Sequence, residues 1–205
     1  TDLYLLAIDG PDRTPRKIAS LADKNEGSPV FSPDGSALYF QSDASGDDQL
    51  WRVALGGGDP VQISRAPGGI SGFLLSPDGA KVALWADRPV GAKTLDDQKP
   101  DAPADAGSGR VYDQLFVRHW DRWADGQRSQ IFVMPVAGGP AVSVMGDLVG
   151  DVPSKPFGGA EEIAWSRDGR TLFFALREAG RIEPLSTNLD IFSAPADGSA
   201  APTNL

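Results

Sequence analysis

The chain has 205 residues, of which 40% are apolar, 24 are Gly and 17 are Pro, a composition that fits one large globular domain or two small ones with little helix. The net charge of −9 argues against a general nucleic-acid binder and against docking on an anionic membrane, because both need basic surfaces. The lack of Cys excludes a disulfide framework, thiol catalysis and Cys-type zinc sites, and no apolar run approaches the ~18 residues of a membrane span.

The predicted elements begin with two short strands within residues 2–20. Large apolar residues alternate along the first strand, and Gly10 follows as a turn. The same module recurs with its apolar anchors at residues 50–51, 131–132 and 191–192, and in each copy a Gly stands seven residues after the first anchor. A Gly at a fixed offset after an alternating strand indicates a hairpin, so each module is predicted to be a pair of antiparallel strands.

A second module is built around a turn motif that occurs three times. Ser-Pro-Asp-Gly occupies residues 32–35 and 76–79, and Ser-Arg-Asp-Gly occupies residues 166–169. Apolar residues follow each Gly at the third and fifth positions, and this alternation is typical of a strand. The final Gly suits the left-handed residue that closes a hairpin turn, so we interpret the repeated Asp as turn chemistry and not as a calcium loop.

The two modules alternate, which makes a unit of four antiparallel strands. The first two turn motifs lie 44 residues apart, a period that is typical of a β-propeller blade. We therefore predict an all-β fold for residues 1–205, a partial β-propeller of about three and a half four-stranded antiparallel blades. The predicted units are a half blade at 2–20 and full blades at 28–64, 69–146 and 158–205. Because a half blade leaves a sheet edge unpaired, we expect either a larger ring or a homo-oligomer.

The second full blade carries an insertion at residues 88–128, whereas the equivalent loop of the first full blade has four residues. Long loops in compact domains are usually functional or disordered. Residues 111–117 have a strand-like composition, so we expect them to pair with residues 130–132, with a hairpin turn near Asp125-Gly126. The polar segment 96–109 is expected to be a mobile tip.

Aromatic and basic residues concentrate in this insertion, where we predict a substrate-binding surface made by Arg118, His119, Trp120 and Trp123. Guanidinium groups can stack on indole rings. His119 is the only imidazole of the chain, which excludes a His-based triad or a multi-His metal site within it. Two interpretations stay open: the cluster contacts a peptide or another domain, or its rings form the insertion's own small core and His119 is an ordinary surface residue.

The turn motifs, together with Asp-Leu-Tyr at residues 2–4, resemble the propeller repeats of TolB-type proteins and of serine peptidases of the prolyl oligopeptidase family. Residues 111–123 and 151–163 are similar to the blade insertion and the blade-to-blade connection of its bacterial dipeptidyl aminopeptidase and acylaminoacyl peptidase-like members. In that family the propeller covers a C-terminal α/β-hydrolase domain with a Ser nucleophile in Gly-x-Ser-x-Gly, followed by Asp and His. This chain has no Gly-x-Ser-x-Gly, so no catalytic residue carries over to it.

Two further motifs have simpler interpretations. Dipeptidyl peptidases of this family can hold a substrate's amino terminus with paired glutamates, but Glu161 and Glu162 directly precede an apolar run and are interpreted as the start of a blade strand. Gly56, Gly57 and Gly58 are interpreted as a hairpin turn, because the Lys-Ser/Thr of a phosphate-binding loop is absent.

The resemblance implies a non-catalytic propeller that gates a serine peptidase and shapes its specificity for short peptides. Its implied partners are a C-terminal α/β-hydrolase domain of the same parent chain and a short peptide substrate, with no nucleic acid, membrane, metal or cofactor. The chain alone is expected not to be an enzyme, whereas its parent protein is. The alternatives are a TolB-like propeller that binds a protein partner with no peptidase attached, and a lyase or sugar-binding propeller. The compartment stays open, with a periplasmic or secreted location favoured over a cytoplasmic one.

Overall fold

The computed structural model describes residues 1–21, 23–101, 103, 107–178, 180 and 183–205, which form short antiparallel strands and two single 3₁₀ turns. In chain order the strands are β1 (Leu3–Leu5), β2 (Arg16–Ala19), β3 (Glu26–Phe31), β4 (Ala37–Ser42), β5 (Gln49–Ala54), β6 (Val61–Gln62), β7 (Gly72–Leu75), β8 (Lys81–Pro89), β9 (Arg118–His119), β10 (Arg122–Trp123), β11 (Gln127–Pro135), β12 (Val142–Ser143), β13 (Ile163–Trp165), β14 (Thr171–Leu176), β15 (Asp190–Pro195) and β16 (Thr203–Asn204). The 3₁₀ turns span Ala160–Glu162 and Glu183–Leu185.

These strands group into a half blade and three blades. β1 and β2 pair as the half blade, blade 1 contains β3 to β6, blade 2 contains β7, β8, β11 and β12, and blade 3 contains β13 to β16. Within each blade the strands pair antiparallel with their neighbours along the chain, while β9 and β10 form a separate hairpin inside the insertion. The all-β class with four-stranded antiparallel blades that the sequence predicts is confirmed.

The repeated turn motif folds in the same way in all three blades. In blade 1 the Ser32 hydroxyl donates to Asp34 Oδ1 at 2.6 Å and accepts the Ala37 amide at 2.9 Å, and the Gly35 amide donates to the Ser32 carbonyl at 2.9 Å. The equivalent hydroxyl–carboxylate distances are 2.6 Å in blade 2 and 2.7 Å in blade 3. Gly35 has φ +68°, a left-handed backbone that a side chain disfavours, so each motif residue has a local structural reason.

Buried apolar side chains lie between neighbouring blades. Alternate residues of β4 face opposite ways, because Leu38 and Phe40 pack towards the half blade whereas Tyr39 packs towards blade 2. The strand is therefore apolar on both faces, and the sequence shows a continuous apolar run. The fifth residue after each motif Gly is fully buried, and burying such a side chain stabilises the fold by roughly 1.5–3 kcal/mol. These residues are Phe40, Leu84 and Phe174.

The insertion differs from its predicted form. β8 and β11 are nine residues long, so the ladder continues to the pair Pro89↔Gln127 and the insertion proper spans residues 90–126. Residues 111–117 form no strand, because residues 130–132 already pair with β8, and β12 pairs with β11 at its other edge. The hairpin forms instead between β9 and β10, with its turn at Trp120 and Asp121 and not at Asp125-Gly126.

Two local features explain this outcome. Asp125 Oδ1 accepts the Gln127 amide at 3.0 Å, which turns the chain into β11 and does not reverse it within a hairpin. Residues 111–117 are largely exposed, so their strand-like composition has no sheet face to cover. The expected mobile tip at 96–109 falls partly on residues 102 and 104–106, which lie outside the described residues.

Candidate functional site

Three chain segments emerge at one end of blades 2 and 3, because successive strands of a meander run in opposite directions. They are the β8–β11 insertion (90–126), the β12–β13 connection (144–162) and the β14–β15 connection (177–189). We call this end the insertion face. All four predicted site residues lie on it, in the hairpin of β9 and β10.

One half of the hairpin is a stack of three side chains. The Arg118 guanidinium lies 5.7 Å from the centre of the Trp123 ring, and Trp123 stacks on Tyr112 with 6.2 Å between ring centres. The Tyr112 hydroxyl donates to the Ala124 carbonyl at 3.0 Å, which ties the stack to the strand that leaves the hairpin. Trp123 is nevertheless about half exposed, so part of its surface is accessible to a partner.

The other half of the hairpin carries its most exposed aromatic residue. Trp120 is 69% exposed and its backbone has φ +48°, in the left-handed region that bulky residues rarely occupy. Its ring lies 4.6 Å from that of His119 and 6.1 Å from that of Phe157, which is 82% exposed in the β12–β13 connection. The four predicted residues thus fall into two adjacent groups, Arg118 with Trp123 and His119 with Trp120.

A buried arginine lies at the root of the insertion on the β8 side. Arg88 is 3% exposed and donates hydrogen bonds to three carbonyl oxygens. Its Nε reaches Leu95 at 2.7 Å, its Nη1 reaches Asp87 at 2.7 Å and its Nη2 reaches Pro67 at 2.8 Å. Burial lowers the pKa of this guanidinium, although the neighbouring carboxylates of Asp87 and Asp96 oppose that shift.

A second arginine, on β11, lies at the centre of a charged network. Arg128 donates from Nη1 to Asp151 Oδ2 at 2.9 Å, and from Nη1 and Nη2 to the two carboxylate oxygens of Glu183 at 3.0 and 2.8 Å. Burial disfavours the charged guanidinium, but its hydrogen bonds to Glu183 and Asp151 outweigh burial and raise the pKa of Arg128. The Arg128 guanidinium therefore bridges blades 2 and 3.

Lys155 extends this network towards solvent. Its Nζ lies 2.7 Å from Asp87 Oδ1 and 3.3 Å from Asp151 Oδ1. Burial lowers its pKa, but the two carboxylates more than compensate and leave the pKa of Lys155 raised. Glu162 holds the same connection from its far end, since its carboxylate accepts the Ser154 amide and hydroxyl, each at 2.7 Å.

Sequence reasoning missed the two root arginines, the carboxylate partners of Arg128, and the rings of Tyr112 and Phe157 that complete the hairpin clusters. The partners of Arg128 lie 23 and 55 residues away in the chain, and no periodic spacing links them. A weak signal exists in the sequence, because an isolated Arg at each boundary of a long insertion can anchor its two ends.

Among the residues that the structure describes, no group of three His, Asp or Glu side chains could hold a metal ion. No helix in the described ranges is long and apolar enough to cross a membrane.

Comparisons with known proteins agree with the fold and extend it. No protein-family model matches the chain. It is 33% identical over 195 residues to dipeptidyl-peptidase 5 of Porphyromonas gingivalis, a match that covers 93% of this chain and 28% of that relative, so the chain spans less than a third of the relative's length.

Solved structures show the same fold at low sequence identity. The acylaminoacyl peptidase of Pyrococcus horikoshii has a TM-score of 0.61 at 11% identity, covering 98% of this chain and 27% of that one. A putative TolB from Agrobacterium tumefaciens has a TM-score of 0.56 at 17% identity, covering 98% of this chain and 53% of that one. These matches confirm the predicted resemblance: the chain is similar to one part of the dipeptidyl-peptidase 5 proteins and is folded as β-propeller blades like those of acylaminoacyl peptidase and TolB.

Proposed function

We propose that this chain is the non-catalytic propeller part of a serine peptidase, where it gates access to the active site and shapes specificity for short peptides. The similarity to dipeptidyl-peptidases over nearly the whole chain supports the peptidase context. The parent protein would supply the nucleophile from a C-terminal α/β-hydrolase domain. The chain itself would hydrolyse nothing, because it lacks the nucleophile elbow that this class of hydrolase needs.

The observation that best supports a binding role for the hairpin is that Trp120 combines a left-handed backbone with an exposed ring. A left-handed backbone at a residue other than Gly costs roughly 1–2 kcal/mol, and the indole recovers little of this because 69% of Trp120 is exposed. Backbone outliers that burial does not compensate cluster at functional sites. A Gly or Asn at this turn would relieve the strain, so the aromatic ring itself has a use outside the described fold.

The chemistry of the hairpin fits a peptide or protein partner. Trp and Arg dominate the binding energy of many protein interfaces, since they combine a large apolar surface with polar groups. Arg118 offers a cation for a carboxylate or a peptide carbonyl, while the rings of Trp120 and Trp123 offer flat apolar surface. The His119 ring, 4.6 Å from that of Trp120, belongs to the fourth residue assigned to the surface. The alternative, a small core made by the insertion itself, accounts for the Tyr112–Trp123 stack but not for the exposure of Trp120.

The test is kinetic and uses the full-length parent protein. Arg118→Ala, Trp120→Ala and Trp123→Ala are each compared with the parent on a dipeptidyl chromogenic substrate and on a peptide of ten residues. We expect a change in kcat/KM that differs between the two substrates, at an unchanged melting temperature. Val61→Ala, at an exposed position on β6, is the matched control and should change neither kcat/KM nor the melting temperature. Unchanged kinetics in all three hairpin variants would overturn the proposal.

A second candidate function is a protein-binding propeller without a peptidase. The fold similarity to TolB favours it, although that similarity concerns the fold alone. The remaining coding sequence of the parent separates the two candidates. A downstream Gly-x-Ser-x-Gly followed by Asp and His supports the peptidase, and a gene without them supports the binding module.

A further inference from the structure

We propose that Arg88 and Arg128 form a root clasp that positions the insertion hairpin, with Arg88 attached to the preceding blade connection and Arg128 to the following blade. This inference rests on the proposed function, because positioning matters only if the hairpin meets a peptide or another domain. Both arginines are positioning residues, since their side chains contact the root of the insertion and not its binding surface.

Arg88 joins three separate segments of the chain. It lies near the end of β8, and its hydrogen bond to Leu95 fixes the first arm of the insertion. Its hydrogen bond to Pro67 reaches the connection between β6 and β7, which leads from blade 1 into blade 2. The buried guanidinium thus locks the direction in which the insertion leaves blade 2.

Arg128 performs the corresponding task for the returning arm. It lies near the start of β11, directly opposite Arg88 in the β8–β11 ladder. Its carboxylate partners Asp151 and Glu183 belong to the β12–β13 and β14–β15 connections. The returning arm is therefore fixed to the path into blade 3 and to blade 3 itself.

Stability of the sheet alone does not explain two arginines at facing positions. Like charges directly opposite each other on neighbouring strands are destabilising. Further down the same ladder the facing pairs are apolar, such as Leu84↔Phe132 and Trp85↔Ile131. Replacement of a buried ion pair such as Arg128–Glu183 by apolar residues is often neutral or stabilising, so this pair at the root fits a need for defined orientation better than a need for stability.

The clasp also controls the surface against which the hairpin rests. Asp151, held by Arg128, begins the stretch of connection that carries Phe157 six residues later. Phe157 is the ring that contacts Trp120 at the hairpin tip. Arg128 therefore positions both sides of this contact, the hairpin through β11 and the opposing ring through Asp151. Because both rings are mostly exposed, their contact alone is too weak to fix the hairpin.

The test uses the full-length parent with Arg128→Met, Arg128→Lys and the milder Glu183→Gln. The reporter is hydrogen exchange of the Ala124 amide, which donates to the Val117 carbonyl at 3.0 Å and closes the hairpin. The control amide is Leu55 in blade 1, which donates to Ser36 at 2.9 Å. The control variant is Lys93→Met, because Lys93 forms an exposed ion pair with Asp147 in the same region.

We expect Arg128→Met to accelerate exchange at Ala124 by about tenfold or more, equivalent to about 1.4 kcal/mol of local stability, with no change at Leu55. Arg128→Lys and Glu183→Gln should accelerate exchange at Ala124 by smaller factors, and Lys93→Met should not change it. The ratio of kcat/KM between the ten-residue peptide and the dipeptidyl substrate should shift in parallel with exchange. If Arg128→Met does not fold, Glu183→Gln alone tests the clasp, by exchange at Ala124 and by the ratio of kcat/KM between the two substrates.

Unchanged exchange at Ala124 overturns the clasp. A second contrary result is faster exchange at Ala124 in Arg128→Met with an unchanged ratio of kcat/KM between the two substrates. If Trp120→Ala still shifts that ratio, the positioning role of Arg128 is overturned and the proposed function stands. If Trp120→Ala does not shift the ratio either, the proposed function fails first and the positioning role fails with it.

Discussion

Arg128 holds both carboxylate oxygens of Glu183, at 3.0 and 2.8 Å, across 55 residues of chain. This pair joins the root of the insertion in blade 2 to the connection between β14 and β15 in blade 3. Both side chains are largely buried, so neither charge has free access to water. The two blades therefore share an ion pair whose loss leaves a desolvated charge on one of them.

The first prediction concerns the stability that this pair provides. Glu183→Ala is expected to lower the free energy of unfolding by about 3 kcal/mol, because Arg128 would keep its charge in a mostly buried place with only Asp151 as its carboxylate partner. Urea unfolding measures the change. Lys93→Met breaks an exposed pair and should cost less than about 0.5 kcal/mol, so equal effects in both variants would contradict the prediction.

The second prediction compares two glycines with almost the same backbone angle. Gly35 has φ +68° and open space where a methyl group would lie, whereas Gly198 has φ +67° and the Ser143 carbonyl oxygen only 2.6 Å from the place its methyl group would take. Gly35→Ala should cost about 1 kcal/mol from the backbone alone. Gly198→Ala should cost at least about 2 kcal/mol more, because a backbone oxygen must move. Thermal and urea unfolding of both variants measure the two losses of stability, and equal losses would contradict the prediction.

The third prediction concerns how stability changes at acid pH as the Asp34 carboxyl of the repeated turn is protonated. Hydrogen bonds from the Ser32 hydroxyl, and then from the Ser36 amide and hydroxyl, lower the pKa of Asp34 to about 2. A carboxylate whose pKa is lower in the folded state stabilises the fold above its unfolded pKa, and this stabilisation disappears as pH falls through the folded pKa. Stability should therefore fall between about pH 4 and pH 2.

Ser32→Ala provides the matching variant. It removes the largest cause of the lowered pKa, so Asp34 should titrate at a higher pH in the variant than in the parent. Carbon-detected NMR of the Asp34 carboxyl measures this directly. An identical titration curve in parent and variant would show that the hydroxyl does not stabilise the carboxylate.

The fourth prediction separates the strain at Trp120 from the use of its ring. Trp120→Gly and Trp120→Ala both remove the indole, but only Gly is relaxed at φ +48°. Exchange of the Ala124 amide should therefore be slower in the Gly variant than in the Ala variant, by about fivefold for about 1 kcal/mol of relieved strain. Both variants should lose the same share of kcat/KM in the parent enzyme, since both lack the ring. Unequal kinetic losses would mean that hairpin conformation matters more than the indole.

Local chemistry explains which parts of the fold could be predicted from sequence. The Ser-x-Asp-Gly turns bond within six residues, as in Ser32, Asp34 and Ala37, so their sequence determines their shape and places the flanking strands. Residues 111–117 have strand composition without a free edge to join, and composition cannot reveal that β8 and β12 already occupy both edges of β11. The anchoring contacts of Arg88 and Arg128 could not be assigned, because they reach across the chain without a periodic spacing: Pro67 lies 21 residues from Arg88, and Glu183 lies 55 residues from Arg128.

The most direct test of the gating role is photocrosslinking from the hairpin tip of the full-length parent. A benzoyl-phenylalanine placed at Trp120 would report what lies against that ring while a peptide substrate is bound, and the same probe at the exposed Val61 provides the background. We predict crosslinks from position 120 to the bound peptide or to the hydrolase domain, and none to them from position 61. Crosslinks from position 120 that fall only within residues 90–126 and 151–157 would contradict the gating role and make the aromatic cluster the insertion's own core.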